Sequence, residues 1–98
     1  MNFLQQLAAT AIRNQVVSAL RADCPAELSP ALETLLADDA AVNTIRDFVM
    51  AHMKNPAALT AEAIAALPFA AAGITALMQS TPALSNYLAA TARAKLPR

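Results

Sequence analysis

Cys24 and His52 are the two residues of this 98-residue chain whose types fit a nucleophile and its general base. A thiolate attacks while an imidazole accepts a proton, so the pair could catalyse group transfer if the side chains met. Cys24 stands before Pro25 at a possible helix start, where a thiolate is favoured. The alternative places Cys24 half-buried in a connection and His52 near the end of a helix. Such coincidences are common in unrelated chains, so we expect no catalytic site and no enzyme.

Metal coordination is the next chemistry that the residue types suggest. One His and one Cys cannot complete a tetrahedral zinc site by themselves. The acidic pair Asp38 and Asp39 could touch a divalent cation together with Asp47. An aspartate at that point is better explained as a helix N-cap or as a first-turn acid that the helix dipole favours. We therefore expect no metal and no cofactor.

Phosphate chemistry and nucleic-acid binding find little support in the residue types. Gly73 is the single glycine, so the chain has no glycine-rich phosphate loop. Acidic residues precede the third predicted helix and Asp47 lies on it, which would repel a phosphate backbone. Arg93, Lys95 and Arg98 could touch an acidic partner, but a solvated helix end explains them more simply. We expect neither a nucleic acid nor a small-molecule substrate.

The stretch from Ala63 to Ala92 contains no charged side chain, and Glu62 and Arg93 stand on either side of it. Charged residues make up 14% of the chain, whereas about a quarter is usual in a soluble domain. We therefore expect part of this stretch to be covered by the chain's own core, by a partner or by a bilayer.

Composition and proline spacing predict the elements that carry these residues. Alanine is abundant and glycine almost absent, which favours helix. We predict an all-α fold: a single domain, residues 1–98, formed by a small bundle of four to five short helices joined by tight, proline-containing turns. The expected helices cover residues 2–22, 30–37, 39–54, 56–80 and 82–95. Pro68 should either kink the fourth or divide it into residues 60–67 and 68–80.

Three pairs of residues predict helix starts. In each pair, a side chain that can cap the first turn precedes a proline, and the proline lacks the N–H group that would have no partner at that position. The pairs are Ser29-Pro30, Asn55-Pro56 and Thr81-Pro82. Apolar periodicity predicts the buried faces of two helices. The face of the first helix contains Leu4, Leu7, Ala8, Ala11, Ile12 and Ala19. The stripe of the third contains Val42, Ile45, Phe48, Val49, His52 and Met53.

Residues 63–78 are continuously uncharged and mostly apolar, which raises the possibility of membrane action. A spanning helix needs about 20 such residues, with a lower limit near 17. Pro68 interrupts the run, and Thr81-Pro82 resembles the start of another helix. A membrane-interacting protein, such as a pore former or an ejection protein, is therefore the alternative function.

The function that we favour from the sequence is a non-enzymatic structural or interaction subunit that packs into a larger protein assembly. A phage virion or a secretion-type complex would suit such a chain, through self-association or a protein partner. The single cysteine and the absence of a signal-peptide pattern predict a cytoplasmic protein, or one assembled from the cytoplasm. The predicted partner-binding residues are Phe69, Ile74, Leu77, Met78, Leu84, Tyr87 and Leu88.

Overall fold

Residues 3–95 are described by the computed structural model, and every regular element in that range is helical. The α-helices are α1 (Phe3–Ala22), α2 (Ser29–Leu36), α3 (Asp39–Ala51), α4 (Ala61–Ala65), α5 (Ala72–Ser80) and α6 (Pro82–Lys95). A 3₁₀ turn, Pro56–Ala58, lies between α3 and α4. Since residues 3–95 contain no strand, the prediction of an all-α fold is confirmed.

The described range contains six α-helices rather than four to five, because residues 56–80 do not form one helix. Pro68 has no N–H group and disfavours the helical conformation of Leu67, so a helix through this point is costly. The N–H of Phe69 donates instead to the Leu67 carbonyl at 2.9 Å. The proline therefore divides the stretch, as one of the two predicted alternatives had it, with residues 66–71 as a non-helical connection.

Side-chain caps begin α3 and α4. The Asp38 carboxylate accepts a hydrogen bond from the Ala41 N–H at 3.0 Å. The Thr60 hydroxyl oxygen accepts one from the Ala63 N–H at 3.1 Å. Each cap satisfies a donor that has no partner within the helix and contributes about 1 kcal/mol.

Two of the predicted proline pairs do not cap their helices through a side chain. Ser29 is the first residue of α2 rather than its cap, and the capping position belongs to Leu28. Asn55 precedes the 3₁₀ turn, but its side chain makes no capping hydrogen bond. The predicted Ser29 and Asn55 caps are therefore wrong. At Pro30 and Pro56 the fixed φ and the missing N–H group of proline favour the helix start by themselves.

The hydrophobic core draws on all six helices. The part of the uncharged stretch that faces inward is thus covered by the chain itself. The largest fully buried side chains are Val16, Leu32, Leu35, Val42, Val49, Ile64, Met78, Leu84 and Leu88.

Most of the predicted inward stripe packs as expected, although α3 ends at Ala51 rather than at residue 54 and His52 is not part of the core. Val42, Ile45 and Val49 are buried in the core. Phe48 and Met53 are partly buried and pack against it. The helical period of the stripe therefore identified the face of α3 that contacts the other helices.

Residues 7–11 of α1 lie outside the core, and the predicted inward face is wrong there. Leu7 is 50% exposed, and Ala8 and Ala11 are exposed as well. Among the side chains of α1 that the structure describes, contacts with the core begin at Ile12. A 20-residue helix is about 30 Å long, whereas α2 and α3 are much shorter and cannot cover its whole length. The side chain of Leu4, which also belongs to the predicted face, lies outside the described part of the structure.

Helix α6 packs against α1, α4 and α5. It thus links the first helix to the helices that follow the 3₁₀ turn. The Tyr87 hydroxyl donates to the Leu20 carbonyl at 2.6 Å. Leu20 lies in the last turn of α1, where carbonyls have no partner within the helix. The Arg93 guanidinium donates to the Leu59 carbonyl at 3.2 Å, just before α4. Two side chains of α6 thus hold backbone groups that are distant in sequence.

Candidate interaction surface

Helix α5 presents a solvent-facing side of small, uncharged residues, which we name the outer face of α5. Its positions follow a spacing of i, i+1, i+4, i+7 and i+8, which lies on one side of a helix. The opposite side carries the buried Ile74 and Met78. The exposed residues of the outer face are Ala72, Gly73, Ala76, Gln79 and Ser80.

The other exposed residues between 63 and 92 are also uncharged. Together with the outer face of α5 they form what we name the uncharged surface. A surface without charges loses little hydration energy when another surface covers it, and the centres of protein interfaces are depleted of charged residues. The additional members of the uncharged surface are Ala66, Pro68, Ala70, Pro82, Ala83, Asn86 and Ala90.

Gly73 leaves open space on the outer face of α5. A Cβ atom built at this position would meet no atom of the described residues within 4 Å. Its backbone also does not adopt a positive φ, so the conformation does not require glycine. The absence of a side chain here exposes the helix backbone, and another surface could approach it closely.

The structure places five of the seven predicted partner-binding residues in the core. Packing within the chain therefore accounts for these five side chains without a partner. Leu77 and Tyr87 are partly buried and pack against the core, and each keeps some exposed surface. The five core residues are Phe69, Ile74, Met78, Leu84 and Leu88.

The two charged residues that border the uncharged stretch have local roles in the fold. Glu62 lies exposed in the first turn of α4, where the helix dipole favours an acid. Arg93 is bonded to the Leu59 carbonyl. The other cations considered as partner contacts were Lys95 and Arg98, whose side chains lie outside the described residues.

Two large apolar side chains outside the uncharged surface are also exposed, although the sequence did not predict their exposure. Leu7 on α1 is 50% exposed and Met50 on α3 is 38% exposed. The periodicity of α1 identifies Leu7 as part of an apolar face. Periodicity alone does not show whether a neighbouring helix reaches that face.

Ion pairs join charged groups within the first half of the chain. Arg13 contacts Asp39 at 2.8 Å, which links α1 to α3. Arg21 binds Glu33 through two hydrogen bonds of 2.9 and 3.1 Å, which link α1 to α2. These groups are largely exposed, so each pair contributes at most about 1 kcal/mol. The acidic groups of Asp39 and Glu33 thus have ion-pair partners within the chain.

The environment of Cys24 is unfavourable for a nucleophile. Burial raises the pKa of the Cys24 thiol, and the negative charges of Glu33 and Glu27 raise it further. A catalytic cysteine needs the opposite shift, because the thiolate is the attacking species. The thiol donates a weak hydrogen bond to the Pro25 carbonyl at 3.5 Å. Cys24 therefore matches the alternative interpretation, a partly buried residue in a connection.

His52 lies at the end of α3 and binds its own helix. Its Nδ1 is 2.9 Å from the Phe48 carbonyl, one turn earlier, and the two rings lie 4.6 Å apart. Because the carbonyl can only accept, Nδ1 carries the proton in this contact. The hydrogen bonds of Cys24 and His52 run to local carbonyls and not to each other.

Among residues 3–95, no group of three or more His, Cys, Asp or Glu side chains is arranged to hold a metal ion. In the same range, no helix has the length and apolar character needed to cross a membrane.

The chain matches no family model, no curated protein and no solved structure.

Proposed function

We propose that the chain is a non-enzymatic helical subunit that packs against protein chains in a larger assembly, with further copies of itself as the first partner. One observation carries the proposal: the exposed residues between 63 and 92 bear no charge, although the core already covers the inward-facing ones. Exposure to water alone does not explain why this surface lacks charged side chains.

The shape of the outer face of α5 supports a helix as the opposing surface. Gly73 and Ala76 have little or no side chain, so two helix backbones could approach each other closely there. Leu77, partly exposed beside this face, would add apolar area to the contact. The five predicted partner-binding residues that lie in the core would support the uncharged surface from within.

The charge balance supports contact between identical copies. The chain has seven acidic and seven basic side chains, and thus no net charge at pH 7. Proteins near zero net charge lack the mutual repulsion that keeps copies apart in solution. Repetitive assemblies, such as a phage virion or a secretion-type complex built from cytoplasmic subunits, would use such a chain.

Membrane action through residues 63–78 would require the core to open. Ile64 and Met78 are each 1% exposed, and Ile74 is 6% exposed. Transferring these side chains to lipid would remove them from contacts that stabilise the fold. No feature of the described residues favours this alternative over packing against protein.

Light scattering of the purified chain and of an Ala76→Arg variant tests the proposal. The wild type should show a mass above that of the 10.2 kDa monomer, increasing with concentration. Ala76 is exposed in the middle of α5, so arginine there should leave the fold unchanged. It would place like charges opposite each other in a contact between copies. The variant should therefore remain monomeric with an unchanged circular dichroism spectrum.

Ala22→Arg is the matched control, because Ala22 is also an exposed helical alanine but lies in α1, outside the uncharged surface. This variant should associate as the wild type does. A wild type that stays monomeric at every concentration would contradict self-association. Equal association of all three proteins would show that another surface is responsible.

A further inference from the structure

We draw no further inference here: the strongest candidate, the exposed apolar patch formed by Leu7, Ala8 and Ala11 on α1, carries none because nothing in the structure shows what covers it.

Discussion

Replacing Leu84 by alanine tests whether the uncharged stretch contributes to the chain's own core. Leu84 is 0% exposed and lies on α6, the helix that contacts α1, α4 and α5. The substitution removes three buried carbon atoms and leaves a cavity that surrounding short helices can only partly close. We expect folding to become less favourable, although the chain should retain its helical structure.

The expected loss is about 3 kcal/mol, within the range of about 2 to 5 kcal/mol for buried leucine-to-alanine changes. A domain of this size loses about 4 to 8 °C in melting temperature for each kcal/mol. The midpoint should therefore fall by about 12 to 24 °C. Since small domains are stable by about 5 to 15 kcal/mol, the variant should still be folded at room temperature.

Urea unfolding followed by far-ultraviolet circular dichroism measures this loss, and Leu7→Ala is the matched control. Leu7 is 50% exposed, so the same chemical change should cost less than about 1 kcal/mol there. Equal losses for the two variants would refute the assignment of Leu84 to the core. A Leu84→Ala loss below about 1 kcal/mol would refute it as well.

Two further predictions concern individual groups. Tyr87→Phe should destabilise the fold by about 1 kcal/mol, because the Leu20 carbonyl loses its 2.6 Å hydrogen bond; an unchanged unfolding midpoint in urea would show that water replaces the hydroxyl without cost. Cys24 should react with iodoacetamide more slowly in the folded chain than in urea, with a folded-state midpoint at higher pH, because burial raises its thiol pKa. The folded chain then retains this proton to higher pH than the unfolded chain, so this group's stabilising contribution is present below the unfolded thiol pKa and is lost as pH rises through the folded pKa. Equal midpoints in the two states would contradict the raised pKa.

Local sequence patterns were sufficient for much of the helical architecture. Abundant alanine and the prolines predicted an all-α fold, and the stripe containing Val42, Ile45 and Val49 identified the inner face of α3. The bounds of α6, from Pro82 to Lys95, also agree with the prediction. These features depend on helix propensity and on contacts a few residues apart, which a sequence displays directly.

The features that the sequence did not predict depend on contacts between residues that are distant in the chain. The Tyr87–Leu20 hydrogen bond joins residues 67 positions apart. The exposure of Leu7 depends on where neighbouring helices end, although its position in an apolar period is clear. Tertiary packing also decides that Phe69 is buried while Leu77 remains partly exposed.

The sequence also leaves open which residues of the candidate surface face outward. The absence of charge between 63 and 92 is visible in the sequence, and it indicates a surface that avoids charge. The side chains that face outward there are mainly small ones such as Ala76, whereas five of the seven large residues predicted as partner contacts lie in the core.

A nitrogen-15 NMR dilution series of the isolated chain tests the central claim most directly, because it locates the contact between copies. If the outer face of α5 forms the contact, the amides that shift with concentration should be those of Gly73, Ala76 and their neighbours on that face. Amides of exposed residues outside the uncharged surface, such as Ala22, should not shift. Spectra that remain identical at all concentrations, or shifts confined to α1 and α3, would contradict it.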